Sequence, residues 1–274
     1  MVVIDTHAHI YAEDEVQYPT IDNPIRPPGD SGALRTLEAL ANENHVIGVC
    51  VVQPGTCYRW DNRYICDVSK ANSKRMAGVC ALDAENDDSP KLLNRYVTDY
   101  GVRGLRSYAA SDGHLFHRGV QALWRKAEQL GITVNVFVTR DKADDLARML
   151  ETFPRLPVVI DHCFVPKPIS DFQEAIADVI RLAKFSNAYA KLSFLPMGST
   201  EEYPFRDMHE PCTRIIAAYG PERCVWGSDF PCDLWTPKSS YAQNLRLFTH
   251  EIRLANSEKE WILSRTAQSL WFHN

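Results

Sequence analysis

The sequence predicts an α/β fold, a single (β/α)8 barrel of the TIM type, and three observations predict it. Eight short apolar runs alternate with longer helical stretches along the whole chain, which implies a parallel sheet with helices packed on its faces. Most of the runs are continuously apolar, the pattern of strands covered on both sides. The chain has 274 residues, close to the roughly 250 of one such barrel, so eight units favour closure over an open sheet. Residues 1–274 are read as one domain.

The eight strands are expected at Val2–His9, Val46–Gln53, Ala77–Asp83, Val102–Tyr108, Ile132–Val138, Pro157–Cys163, Ala188–Phe194 and Val225–Phe230. Between them, Ser89-Pro90 reads as a cap followed by a proline at the first helical position, and Gly101 as that helix's stop. Ser170-Asp171-Phe172-Gln173 and Ser257-Glu258-Lys259-Glu260 read as capping boxes. Gly131 and Gly220 fall where helices should end. The connection after strand one carries Pro19, Pro24, Pro27 and Pro28, which make it stiff and non-helical. It leaves the site side of the barrel, so it is expected to form a wall or lid, as is the segment Leu195–Met208 after strand seven.

Composition narrows the function. Apolar residues make up 45% and charged residues 24%, ordinary values for a globular protein. A net charge of −5 argues against a nucleic-acid partner, which would want a basic patch. No apolar run approaches membrane-spanning length. With strand one starting at Val2 there is no room for a signal peptide. The eight scattered cysteines read as reduced thiols of a cytoplasmic protein. Cys163 reads as a packing residue facing away from His162. A small-molecule substrate is expected, and a homo-oligomer is compatible with the sequence.

Sites of such barrels lie at the C-terminal ends of the strands. His7, His9, His162 and Asp229 all fall there. Residues two apart on a strand face one side, so His7 and His9 can reach one point. Strands one and eight are neighbours in a closed barrel, which brings Asp229 to that pair. Two imidazoles and a carboxylate on one point make a divalent-metal site of hydrolytic type, with His162 as a third histidine ligand or a hydrogen-bond donor. The plain alternatives are a structural salt bridge or helix cap for Asp229 and a satisfied core histidine for His162. Arg106 and Tyr108 at the end of strand four, and Lys191 inside strand seven, are candidates to bind a substrate carboxylate. For the two cations the alternative is an ion pair with Asp5 or Asp83 inside the barrel.

The ordered set Asp5-Thr6-His7-Ala8-His9-Ile10, Gly101-Val102-Arg103-Gly104-Leu105-Arg106, Ile160-Asp161-His162, Ala190-Lys191-Leu192-Ser193 and Gly220-Pro221-Glu222-Arg223, running into Trp226-Gly227-Ser228-Asp229-Phe230-Pro231, resembles the amidohydrolase superfamily, in particular its amidohydrolase-2 group and the lactonase-like branch. The resemblance spans nearly the whole chain. It implies a barrel whose His-x-His and final-strand Asp form the reaction centre, and hydrolysis of sugar, pyrone dicarboxylate or sulfomuconolactone rings. Strand five, Val134–Val138, carries no histidine, and Arg106 stands where two-metal relatives carry a bridging ligand. One divalent metal, zinc or manganese, is therefore the expectation, and the resemblance also admits a metal-free mechanism. The expected enzyme is a hydrolase, a lactonase in which Asp229 moves the proton, His162 steadies the oxyanion and Arg106, with Lys191, anchors a carboxylate. A metal-dependent decarboxylase of an aromatic or muconate-like acid and a non-catalytic ligand-binding barrel are the alternatives.

Overall fold

The computed structural model describes residues 1–164 and 171–272. Eight parallel strands run in sequence order, each hydrogen-bonded to the next: β1 (Val3–Ala8), β2 (Val46–Val52), β3 (Met76–Ala81), β4 (Gly104–Ser107), β5 (Thr133–Val136), β6 (Val158–Ile160), β7 (Ala188–Lys191) and β8 (Cys224–Val225). The ring closes where β1 meets the chain after β8. Thr6 N–H donates to Trp226 O at 3.1 Å and His9 N–H to Phe230 O at 2.7 Å, with Ala8 bridged in parallel to Phe230. A TIM barrel is what the alternation predicts.

The long helices return each strand to the next. Their amphipathic faces supply the outer layer of the core, as Val120, Leu123 and Trp124 do on Arg118–Leu130. Gly101 and Gly131 end their helices in the left-handed conformation, φ 71° and 66°, where glycine has no Cβ to clash. Among the described residues, no helix is long and apolar enough to cross a membrane.

Several local expectations shift. Asp88, not Ser89, sits at the N-cap of the helix Ser89–Tyr100, and Ser89 Oγ instead donates to Asp83 O at 2.5 Å. The box expected at Ser257 lies two residues earlier. Its cap is Ala255, whose N–H donates to Glu258 Oε2 at 2.6 Å, so the acid half forms without a hydroxyl partner. Ser170 lies outside the described residues. Strand six stops at Ile160, before His162.

The proline-rich connection does not line the cavity at the C-terminal ends of the strands. It packs behind the loop that follows β2: Ile21 N–H donates to Cys57 O at 2.9 Å and Ile25 N–H to Thr56 O at 3.0 Å. It backs a wall instead of forming one. Met197 of the segment after β7 does reach the cavity.

Candidate active site

At the C-terminal ends of the strands, His7 Nε2 lies 3.2 Å from His9 Nε2. Asp229 Oδ1 lies 3.5 Å from the first and 3.9 Å from the second. The three residues are buried, and their ligand atoms all fall within 4.8 Å of one another. The period-two spacing on β1 presents both rings to one side. The carboxylate arrives by the closure of the barrel.

The Gly227-Ser228 link before Asp229 is tied down through Ser228. Asp5, with no exposure at all, ties the end of β8 to β1. Its carboxylate accepts from Ser228 N–H at 2.9 Å, Ser228 Oγ at 2.6 Å and Tyr241 Oη at 3.0 Å, and from His7 N–H at 3.0 Å. Asp229 N–H then donates to His7 O at 2.9 Å. Gly227 allows this approach, since a Cβ there would fall 2.7 Å from His7 Cβ. Asp229 itself takes a left-handed backbone, φ 56°, a region that aspartate tolerates better than most residues.

His162 also leaves the strand. It stands in a left-handed turn, φ 52° and ψ 23°, which aims its ring inward to 4.5 Å (centroid to centroid) from the ring of His7. Its Nδ1 lies 2.7 Å from Ser193 Oγ, which leaves Nε2 to meet a ligand. His162 stays outside the three-atom cluster of possible metal ligands. Cys163 is buried in the core beside it, its Sγ 3.4 Å from Lys191 O. It packs as expected, but in the turn and not on a strand.

Beneath the histidines lies an ion pair that the sequence does not reveal. Lys191 Nζ meets Asp161 Oδ1 at 2.7 Å, Thr6 O at 3.1 Å and His7 Nδ1 at 3.0 Å. All three ammonium donors are thereby occupied. Lys191 has no exposed surface and does not line the cavity, so it is not positioned to hold a substrate carboxylate. The partner is Asp161, not Asp5 or Asp83. Asp161 also faces Arg106, with Nε 3.8 Å from Oδ2. Burial would raise the Asp161 carboxyl, but the Lys191 ammonium, then His7 and Arg106, hold it well below the usual carboxylate range.

Arg106 does reach the cavity. Its guanidinium lies 4.5 Å from the ring centre of Phe137 and 5.6 Å from that of Tyr108, and Nη1 is 3.5 Å from His9 Nε2. Arg106, Tyr108, His9, His162 and Asp229 border one cavity of about 350 Å3, the size of a small-ligand site. Sequence reasoning missed most of its wall. Arg59, Trp60, Phe137 and Trp235 line it. Three histidines on loops and helix starts lie elsewhere: His117 caps a helix through Gly119 N–H, His114 faces Asp145 and His209 bonds Pro204 O.

The electrostatics divide the site. Burial, with Lys191 next in weight, drives His7 well below its ordinary range, and burial with Arg106 does the same to His9. Burial lowers His162 to about 3. All three rings are neutral at working pH. Asp229 moves the other way: burial, opposed by Arg106, raises it to about 7. Neutral imidazoles beside an acid that titrates near neutrality can donate hydrogen bonds while the acid carries a proton.

The donor set also fits one divalent ion. Two imidazole nitrogens and one carboxylate oxygen are a ligand set that a borderline ion such as zinc accepts, with a fourth position left for water or substrate. His9 is held as a ligand should be, its Nδ1 2.8 Å from Val52 O. At His7 the outer partner is an ammonium.

Comparison with known proteins agrees with the fold. A family model described as amidohydrolase matches residues 4–272. An L-fucono-1,5-lactonase of Burkholderia ambifaria is 28% identical over 83% of this chain and 80% of its own length. A 2-pyrone-4,6-dicarboxylate hydrolase of Comamonas testosteroni is 24% identical over 83% of this chain and 76% of its own. Among solved structures, a probable 2-pyrone-4,6-dicarboxylic acid hydrolase of Acinetobacter baumannii, with citric acid bound, superposes with a TM-score of 0.83 at 20% identity and covers 100% of both chains.

Proposed function

The chain belongs to the amidohydrolase family, and from that premise we propose that it is a lactonase, opening a small lactone that carries a carboxylate. The observation that carries this reading is the Asp229 carboxyl, raised to about 7 by burial and 3.5 Å from His7 Nε2. A ligand-binding pocket has no use for a proton carrier tuned to neutrality. The names of two relatives, a sugar lactonase and a pyrone dicarboxylate hydrolase, support the lactone ring as substrate class.

In this reading Asp229 takes the proton from an attacking water. It returns that proton to the alkoxide or enolate that leaves when the ring opens. Lys191 donates to His7 Nδ1, which puts the remaining proton of the neutral ring on Nε2, facing Asp229 and the cavity. With the Ser193 hydroxyl assigned as donor to His162 Nδ1, 2.7 Å away, the same holds for His162. Two neutral N–H donors then meet the oxygen that becomes negative as the carbonyl is attacked. Arg106, steadied between Phe137 and Tyr108, takes the carboxylate. With a zinc or manganese ion bound, His7 Nε2, His9 Nε2 and Asp229 would instead be its ligands, His7 losing its Nε2 proton, and the ion would supply Lewis-acid polarisation and an acidified water.

The test is a panel of sugar and dicarboxylate lactones followed with a pH indicator, with products identified. Ring-opened acid released without carbon dioxide is the expected outcome. Turnover of none of them, or carbon dioxide from an aromatic acid, would refute the assignment.

A further inference from the structure

The peptide unit that carries Asp229 is held at both ends. Asp229 N–H donates to His7 O at 2.9 Å. The carbonyl of the same unit, Ser228 O, accepts from Asn244 Nδ2 at 2.9 Å. The first bond runs to β1, the second to the helix Tyr241–Arg246 that follows β8. A peptide unit is planar and turns as a whole. Turning this one over would exchange its N–H and its C=O, and would carry φ of Asp229 from 56° into the negative region open to every residue. The left-handed backbone under the acid therefore persists only while its surroundings hold the plane.

Asn244 is itself fixed and buried. Its Oδ1 accepts from Ser239 Oγ at 2.6 Å, which turns Nδ2 toward Ser228, and Nδ2 also reaches Thr236 Oγ1 at 3.3 Å. Its own carbonyl accepts from Trp226 Nε1 at 3.2 Å, so the helix is docked on the chain just after β8. The helix begins where it does because Ser240 and Gln243 form a capping box: Ser240 Oγ accepts from Gln243 N–H at 3.2 Å, and Gln243 Oε1 from Ser240 N–H at 2.9 Å. Tyr241 stands three residues before Asn244, on the same helix face, and holds Ser228 indirectly, through the Asp5 carboxylate. Two side chains of one helix thus grip the residue before the acid, and neither lines the cavity.

Resting on the lactonase reading, in which Asp229 moves the proton, we propose that Asn244 is a positioning residue: by holding the Ser228 carbonyl it fixes the peptide plane that aims the Asp229 carboxylate at His7 Nε2. Asn244 touches no substrate and acts only through this plane. Without its amide the plane is tied at one end alone, the backbone of Asp229 relaxes, and the carboxylate leaves its place beside the histidines.

The test pairs crystal structures of the wild type and Asn244→Leu with steady-state kinetics on the lactone of the panel that turns over fastest. In Asn244→Leu the Ser228–Asp229 peptide should be turned over, with a negative φ at Asp229. Its kcat should fall about 100-fold, the cost of misplacing a reacting group by about 1 Å, with KM changed less than about twofold. Asn244→Ser, one atom too short to reach Ser228 O and with room left for water, should behave alike and serves if the leucine variant does not fold. Leu245→Ala truncates a core side chain of the same helix; it should lower the melting temperature while kcat changes less than about twofold. A peptide plane unchanged in the folded variants, a kcat within about twofold of the wild type, or an equal loss of kcat in Leu245→Ala would each overturn the proposal. The orientation of the plane is read without hydrolysis. If no lactone turns over, the lactonase reading fails in the panel, and the crystal structures still decide whether Asn244 holds the plane.

Discussion

Replacing Asp229 by asparagine should stabilise the fold, and by an amount that grows with pH. In the folded chain burial keeps the proton on Asp229 up to about 7, against an ordinary value of 3.8. Between those two values the folded state holds a proton that the unfolded state has lost. Wild-type stability therefore falls as pH rises through that window and levels off above it. The full difference is roughly 4 kcal/mol. At pH 5 only the first part of the window has been crossed, about 1–2 kcal/mol. The amide carries no such cost at either pH. For a chain of this size about 2–4 °C of melting temperature corresponds to each kcal/mol, so Asp229→Asn should exceed the wild type by about 10 °C at pH 8 and about 4 °C at pH 5. The assay is thermal denaturation followed by circular dichroism on chelator-treated protein, so that no ion competes for the carboxylate. A gap that does not widen between pH 5 and pH 8, or an asparagine variant that melts lower at pH 8, would refute the claim that Asp229 is held as a buried, uncompensated acid.

Further outcomes follow from other contacts. Lys191→Met leaves Asp161 buried without its 2.7 Å partner and should cost about 3–5 kcal/mol; urea denaturation measures it, and a loss below about 1 kcal/mol would mean that the pair is not a foundation of the site. Ser193→Ala frees His162 Nδ1 and should lower kcat about tenfold with KM little changed, a split that steady-state kinetics on an active lactone reads directly. Arg59→Gly should raise stability by about 1–3 kcal/mol through release of the backbone strain at φ 50° and ψ −109°, checked by the same denaturation. Elemental analysis of protein purified without chelators should find about one zinc or manganese per chain, lost in His9→Ala; metal-free protein that keeps full activity would assign the chemistry to the His/Asp cluster by hydrogen bonding alone.

The barrel and the meeting of His7, His9 and Asp229 were legible in the sequence because each follows from a periodicity. A period of two joins His7 to His9, and a count of eight closes β8 on β1. What escaped depends on the third dimension. Asp161 and Lys191 lie on different elements, and nothing in a linear string pairs one buried charge with another 30 residues away. His162 was found, but its aim comes from a left-handed turn that no propensity signals. The cavity wall formed by Arg59, Trp60 and Phe137 depends on loop conformation. The prolines after strand one rightly excluded a helix there and misled about purpose, because a proline-rich segment can back a loop as well as cover a pocket. The caps expected at Ser89 and Ser257 failed for a smaller reason: a hydroxyl near a helix start caps only if the helix begins one residue after it.

The most direct measurement of the central claim is the pH dependence of kcat/KM on a carboxylated lactone, for the wild type and Asp229→Asn. A base must be unprotonated to act, so wild-type activity should rise through a midpoint near 7, the value to which burial raises this acid, and hold above it. The asparagine variant should fall about 10²–10⁴-fold and lose that midpoint. Turnover by Asp229→Asn near the wild-type rate, with the same midpoint, would contradict the account.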